Sequence, residues 1–151
     1  MNEKVFIVHG QDEAAKLAVA RFVDKVGPNL EPVVLDEQPS EGRTIIHKFK
    51  EHAAEACFAV VLLTPDDVGG PKDKPDERNL RARQNVVLEL GYFLSELEPE
   101  RVCVLYKEGV ELPSDIYGLV YVPMDRFDGW QLKLAREMKA AGLSIDLNRL
   151  F

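Results

Sequence analysis

Apolar positions in this chain alternate between short continuous runs and helical stripes. Val5-Phe6-Ile7-Val8 is a continuous apolar run, which predicts a short strand buried on both faces. Asp12 is a good N-cap, and Ala15, Val19, Phe22 and Val26 mark the buried side of a first helix that Gly27-Pro28 ends. Residues 31–35 predict a second strand, and Pro32 within it suits an edge position. Ile45, Ile46, Phe49 and Ala53 pattern a second helix. Cys57-Phe58-Ala59-Val60-Val61-Leu62-Leu63 carries no polar residue and predicts the central strand. Val86, Leu90, Phe93 and Leu97 form one apolar stripe of a third helix. Residues 101–106 predict a fourth strand and residues 119–122 a fifth. Trp130, Leu134, Met138 and Ala141 pattern a last helix ending at Gly142. Leu143, Ile145 and Leu147 alternate beyond it, as in a tail packed on the domain.

The polar stretches between these elements predict loops. Asp36 and Arg43 bound one, with Pro39 and Gly42 inside it. Residues 64–79 form a longer one, rich in Asp, Gly and Pro, and a loop that long in a small domain is usually functional. Residues 107–117 read as irregular, with a helical turn near Ser114. No repeat, low-complexity run or linker interrupts the series, so residues 1–151 read as a single domain. Alternating strands and helices with buried strands predict an α/β fold: a parallel sheet with helices on both faces. The first, third and fourth strands are the most apolar. The order 2-1-3-4-5 follows, a flavodoxin-like topology whose ligand crevice lies at the carboxyl ends of strands one and three.

Composition narrows the function classes. At 151 residues with a 46% apolar content the chain can bury a real core. A net charge of −7 with no basic run argues against nucleic-acid or anionic-membrane partners. No apolar run reaches the length of a membrane span, and the N-terminus lacks a signal pattern, so a cytoplasmic protein is expected. Cys57 and Cys103 lie in apolar runs and read as reduced core residues. His9, His47 and His52 are scattered, and no Cys/His cluster has ligand spacing, so no metal is expected. The pattern offers no apolar surface stripe for a permanent dimer.

Four segments should converge on the crevice. The first is His9-Gly10-Gln11-Asp12, where Gly10 permits close backbone approach and the following helix offers N–H groups to a phosphate. There is no G-x-G-x-x-G and no P-loop signature. The second is the loop carrying Gly42 and Arg43. The third is Thr64-Pro65-Asp66-Asp67. The fourth is the start of the third helix, with Arg83, Asn85 and Glu89. On the helical wheel Glu89 lies just off the apolar stripe, half in the core and half in the crevice. His9 reads equally as a stacking partner for a base or as a histidine satisfied by the loop backbone, and Arg43 and Arg83 read as contacts to a pyrophosphate or, more commonly for such positions, as solvated surface arginines. Asp12 and Asp66 are also ordinary cap and turn residues.

Four ordered blocks carry a family resemblance. They are Val5-Phe6-Ile7-Val8-His9-Gly10-Gln11-Asp12-Glu13, Glu37-Gln38-Pro39-Ser40-Glu41-Gly42-Arg43-Thr44-Ile45-Ile46, Val61-Leu62-Leu63-Thr64-Pro65-Asp66-Asp67-Val68-Gly69-Gly70, and Arg81-Ala82-Arg83-Gln84-Asn85-Val86-Val87-Leu88-Glu89-Leu90-Gly91-Tyr92-Phe93. With them nearly the whole chain resembles the TIR domain family. It is most similar to the TIR-like nucleotide-binding domains of bacterial antiphage effectors of the CBASS and Pycsar type, some of them fused to STING-type cyclic-dinucleotide sensors. The resemblance implies a three-layer TIR fold and makes Glu89 the match of the catalytic glutamate in the third helix. It also makes the loop between Asp36 and Arg43 the mobile loop that gates the site and mediates self-association. Many TIR domains have a serine-aromatic step after strand one and Ser-x-Trp before the glutamate. Here those places hold His9-Gly10 and Arg83-Gln84-Asn85.

The implied activity is that of an NAD⁺ glycohydrolase, releasing nicotinamide and ADP-ribose or a cyclic form, with NAD⁺ as substrate and no separate cofactor. The residues are compatible with it. Nicotinamide leaves NAD⁺ as a neutral group and needs no general acid. A single carboxylate can stabilise the oxocarbenium-like ribosyl transition state. The implied substrate-binding set is His9, Gly10, Asp12, Gly42, Arg43, Thr64, Asp66, Arg83 and Asn85, around Glu89 as catalytic residue. The implied partners are NAD⁺, further copies of the chain, and a fused or separate STING-type sensor. Two other readings stay open: a non-catalytic TIR scaffold, and a nucleoside deoxyribosyltransferase-like enzyme in which the glutamate is a nucleophile. A response-regulator receiver is disfavoured because Thr64-Pro65 stands where its aspartate belongs.

Overall fold

The computed structural model describes residues 3–34, 45–113 and 118–151. The long apolar runs form the middle of a five-stranded parallel sheet. In chain order the elements are β1 (Glu3–Val8), α1 (Glu13–Val26), β2 (Leu30–Val34), α2 (Ile45–Ala54), β3 (Ala56–Leu63), β4 (Asp67–Gly69), β5 (Asn79–Arg81), α3 (Gln84–Glu96), β6 (Val102–Tyr106), β7 (Val120–Pro123) and α4 (Gly129–Ala140). Short 3-10 turns stand at Pro99–Arg101 and Leu147–Leu150. The main sheet runs β2-β1-β3-β6-β7 with every neighbouring pair parallel. With β6 and β7 as the fourth and fifth sheet strands, this is the expected 2-1-3-4-5 order. Pro32 sits on the edge strand, where its missing N–H matters least.

Both faces of the sheet are covered, which is why the central strands alternate without polar residues. Val5, Ile7, Phe58, Val60, Leu62, Cys103 and Leu105 face α1 and α4. Phe6, Val8, Ala59, Val61, Leu63 and Val104 face α2 and α3. The two helices on the second face meet through aromatic rings. Phe49 lies 5.7 Å from Phe6, 5.0 Å from Tyr92 and 5.6 Å from Phe93 between ring centroids, and Phe6 lies 4.9 Å from Phe93. Such edge-to-face packing holds the helix that carries Glu89.

Predicted and observed elements differ at several points. Arg101 belongs to the turn before β6, and β7 is shifted one residue toward the C-terminus. The stretch predicted as loop over residues 64–79 holds β4, which pairs with β5 as an antiparallel ribbon. Val68 and Leu80 sit opposite each other there, and the turns Lys74 N to Pro71 O and Glu77 N to Lys74 O reverse the chain between them. A Cβ on Gly70 would stand 1.9 Å from the Glu77 carbonyl oxygen, so glycine lets the two limbs approach. Leu80 is also bridged to Val110, and its carbonyl accepts from Glu111 N at 2.7 Å. Three-residue strands are too short to show alternation, so the ribbon left no periodic signal.

Leu88 and Val68 are 65% and 64% exposed, with Val87 and Leu80 also on the surface. The tail packs as expected: Leu143 is buried, and Asp146 N donates to Val26 O at 2.8 Å. The loop carrying Gly42 and Arg43, residue Leu35 and the turn near Ser114 lie outside the described residues. No described helix is long and apolar enough to cross a membrane.

Candidate functional site

Glu89 lies in the second full turn of α3, between Leu88 on the surface and Leu90 in the core. Val86, Leu90 and Phe93 are buried and fix the rotation of the helix. That rotation leaves Glu89 half-buried, as its place on the helical wheel predicts. Burial pushes its carboxyl up to about 7, against the opposing pull of the nearby His9 charge and of a hydrogen bond with Asn85. Asn85 stands one turn earlier on the same flank. The imidazole of His9, after β1, donates from Nδ1 to the Gly10 carbonyl at 2.9 Å. His9, Asn85 and Glu89 therefore form one group.

A second group joins the ends of β1 and β3. The hydroxyl of Thr64, a buried side chain, donates to Asp66 Oδ2 at 2.6 Å. The Gln11 backbone N–H donates to the same oxygen at 3.1 Å. A Cβ on Gly10 would stand 2.1 Å from it. Asp12 is apart from both groups. It caps α1 by accepting from Ala15 N at 3.0 Å, and its other oxygen lies 4.0 Å from Lys107 Nζ. The start of α1 was expected to offer its amides to a phosphate, and Asp12 already takes up one of them.

Arg83 is half-buried at the N-cap position of α3 and supplies no capping hydrogen bond there. Gly42 and Arg43 lie outside the described residues. The predicted residues that the structure brings together are thus His9, Asn85 and Glu89 on one side, and Gly10, Thr64 and Asp66 on the other.

Two clefts open at the same edge of the sheet, and Glu89 lines neither. One, of about 880 Å³, lies between Ala14 and Ala18 of α1, Lys107 after β6, and the loop after β7. Phe127 projects from that loop 79% exposed, with the Arg126 guanidinium 4.8 Å from its ring centroid. The loop is held by Asp125, which accepts from Gly129 N and Trp130 N. The other cleft, of about 620 Å³, runs between Arg81, Gln84, Val87 and Leu88 on one wall and Glu111 and Leu112 on the other. Arg81 and Glu111, from the two walls, form an ion pair. Sequence reading missed these features. A lone phenylalanine in the polar run Met124-Asp125-Arg126-Phe127-Asp128-Gly129 was the available signal for the first. Among the described residues no group of His, Cys, Asp and Glu could hold a metal ion.

Comparison with known proteins places the chain among relatives. The family model for the TIR domain of CAP12/Pycsar effector proteins matches residues 4–126. The chain is 44% identical over 149 residues to the uncharacterized protein YuaY of Escherichia coli, covering 99% of this chain and 49% of that protein. It is 36% identical over 76 residues to CD-NTase-associated protein 12 of Flavobacterium daejeonense, covering 50% of this chain and 24% of that protein. It is 30% identical over 107 residues to the Pycsar effector protein PaPycTIR of Pseudomonas aeruginosa, covering 70% of this chain and 32% of that protein. The chain thus spans about half the length of the first of these relatives and less of the other two. With a family model matching residues 4–126 and the sheet order of that fold, the chain belongs to the TIR domain family of CAP12/Pycsar effector proteins.

Proposed function

We propose that this TIR domain is an NAD⁺ glycohydrolase of antiphage defence, with Glu89 as its catalytic residue. The observation that carries the reading is the environment of Glu89: a half-buried carboxyl at the carboxyl edge of the sheet, pushed up to about 7 by burial. A desolvated carboxylate interacts more strongly with a cation than one in water does. NAD⁺ brings a cationic pyridinium, and its ribosyl carbon becomes oxocarbenium-like as nicotinamide departs. Ionised Glu89 stabilises that charge, and water or a second atom of the same molecule captures the ribosyl group to give ADP-ribose or a cyclic form. The remaining polar groups bind and orient. Arg83 meets the diphosphate together with Arg43 and Gly42, and Asn85 holds the Glu89 carboxylate.

The family name supports an antiphage-effector setting associated with CD-NTase and Pycsar systems; the proposal extends this to a cytoplasmic effector that answers a cyclic-nucleotide signal through a fused or separate sensor, such as one of STING type. Activity rises on self-association through the loop over residues 36–43. A net charge of −7 keeps the domain apart when it is dilute. Turnover per protomer should therefore climb with protein concentration as light scattering reports larger species. Flat turnover across that change rejects assembly as the switch.

Incubation of concentrated protein with NAD⁺, followed by chromatography for free nicotinamide, tests the reaction itself. Release of nicotinamide with ADP-ribose or its cyclic form is the expected result. No release from a folded and assembled protein rejects the proposal in favour of a scaffold. A covalent sugar adduct trapped on Glu89 would favour the transferase reading.

A further inference from the structure

The residue at the end of β3 suggests how a nucleotide approaches this edge. Asp66 Oδ2 takes the Thr64 hydroxyl at 2.6 Å and the Gln11 N–H at 3.1 Å. It also occupies the space a Gly10 side chain would fill, 2.1 Å from an ideal Cβ. One oxygen thus clasps the turn after β1 to the end of β3, the strand beside it. Gly10 makes room for that carboxylate, and its missing side chain needs no ligand to explain it.

The clasp has an electrostatic consequence. Where a turn between a strand and a helix binds phosphate, its backbone N–H groups and the first amides of the helix point at the anion. In this chain the Gln11 amide already serves Asp66 and the Ala15 amide already serves Asp12. Two fixed carboxylates stand on the turn, and Glu89 adds a third ionisable carboxyl at the same edge. Lys107 lies 4.0 Å from Asp12 and offsets that charge. A phosphate entering here would meet the Asp66 and Asp12 carboxylates and find the Gln11 and Ala15 amides already taken.

We propose that Asp66 is a positioning residue that also bars anions from the turn formed by His9, Gly10 and Gln11, so that a nucleotide meets this turn with a cationic or hydroxyl-bearing end and keeps its phosphates elsewhere. For NAD⁺ this puts the nicotinamide riboside end at the turn and the diphosphate away from it. That orientation rests on the reaction proposed for Glu89, whereas the exclusion of anions does not.

The test is a titration with inorganic pyrophosphate, read on the backbone amide resonances of Gly10 and Gln11. In the wild-type protein these resonances should show no saturable shift through millimolar pyrophosphate. Asp66→Asn keeps a side-chain oxygen for Thr64 and Gln11 and removes the charge. It should leave the free-state Gln11 resonance near its wild-type position and give both amides a saturable response. Thr64→Val loosens the clasp but keeps the carboxylate, and should stay as unresponsive as wild type. Saturable wild-type shifts at Gly10 and Gln11 overturn the proposal, and they do so even if the variants fail to fold. A folded Asp66→Asn protein with a native Gln11 resonance and no response also overturns it. None of these readouts uses turnover. A protein that excludes pyrophosphate and releases no nicotinamide would retain the anion barrier and lose the proposed reaction.

Discussion

Asp66 and Glu89 are carboxylates at one edge of one sheet, and the fold treats them in opposite ways. Asp66 sits in a tight turn and is met by a hydroxyl and a backbone amide within 3.1 Å. Glu89 sits half-buried on a helix, with Asn85 and the charge of His9 only partly offsetting its burial. A carboxylate whose acceptors are filled builds structure. One left short of partners in a poorly hydrated place is disposed toward a cation that arrives later. The contrast is the reason for proposing chemistry at Glu89 and architecture at Asp66, although both stand at the edge of the sheet where the topology predicts a crevice.

The largest effect that would break this contrast belongs to Glu89→Gln. The variant keeps the volume and loses the charge, so nicotinamide release should fall at least about 10²-fold, roughly 2.7 kcal/mol of transition-state stabilisation. Wild-type turnover in a folded variant would show that the carboxylate is a bystander.

Next comes pH. If ionised Glu89 is the active form, kcat/KM should rise about tenfold between one unit below and one unit above its value near 7. Stability runs the other way. The folded state holds this proton more tightly than the unfolded chain does. The stabilisation from Glu89 is therefore complete below its ordinary value of 4.5 and is lost as pH rises through about 7. The loss is at most about 3 kcal/mol, and less for a half-buried group that solvent partly screens. Denaturant melts of wild type and Glu89→Gln across that window should converge at low pH and separate above 7, with the variant the more stable. Parallel curves at every pH would contradict the burial of the charge.

A smaller effect is expected for Arg83→Ala, a several-fold increase in KM with kcat nearly unchanged, if its contacts are alike in ground and transition states. An unchanged KM would put the diphosphate on other groups. The smallest effect on chemistry belongs to Asp66→Ala. Losing the clasp should cost about 1–3 kcal/mol in a denaturant melt, because Thr64 and Gln11 lose their acceptor. The pH at which Glu89 ionises should stay where it is. Movement of that pH would mean that the two carboxylates are electrically one site.

Much of the sheet was legible in the sequence because burial on both faces removes polar residues from β1, β3 and β6. Their lengths and apolar content gave the order, and Pro32 marked an edge. The Glu89 helix was legible for the same reason: Val86, Leu90 and Phe93 fix its rotation, and Glu89 lands on the flank. The β4–β5 ribbon was not, since three-residue strands carry no period and its register depends on Gly70 meeting the Glu77 carbonyl. The partnership of Thr64, Asp66, Gly10 and Gln11 was hidden as well. Sequence placed these residues in one crevice, but which hydrogen bonds close among them depends on the register of β1 against β3. Leu88 and Val87 continue the apolar character of α3 onto its outer surface, and a stripe drawn from the buried positions alone passes over them.

The account rests most directly on the ionisation of Glu89 and its link to turnover. A carbon-13-detected titration of the Glu89 carboxyl, run on the same sample as the pH dependence of nicotinamide release, measures both. The two curves should share a midpoint near 7, with release switching on as the carboxylate forms. A Glu89 midpoint near its ordinary value of 4.5, with release already complete where the account expects a protonated carboxyl, would contradict it.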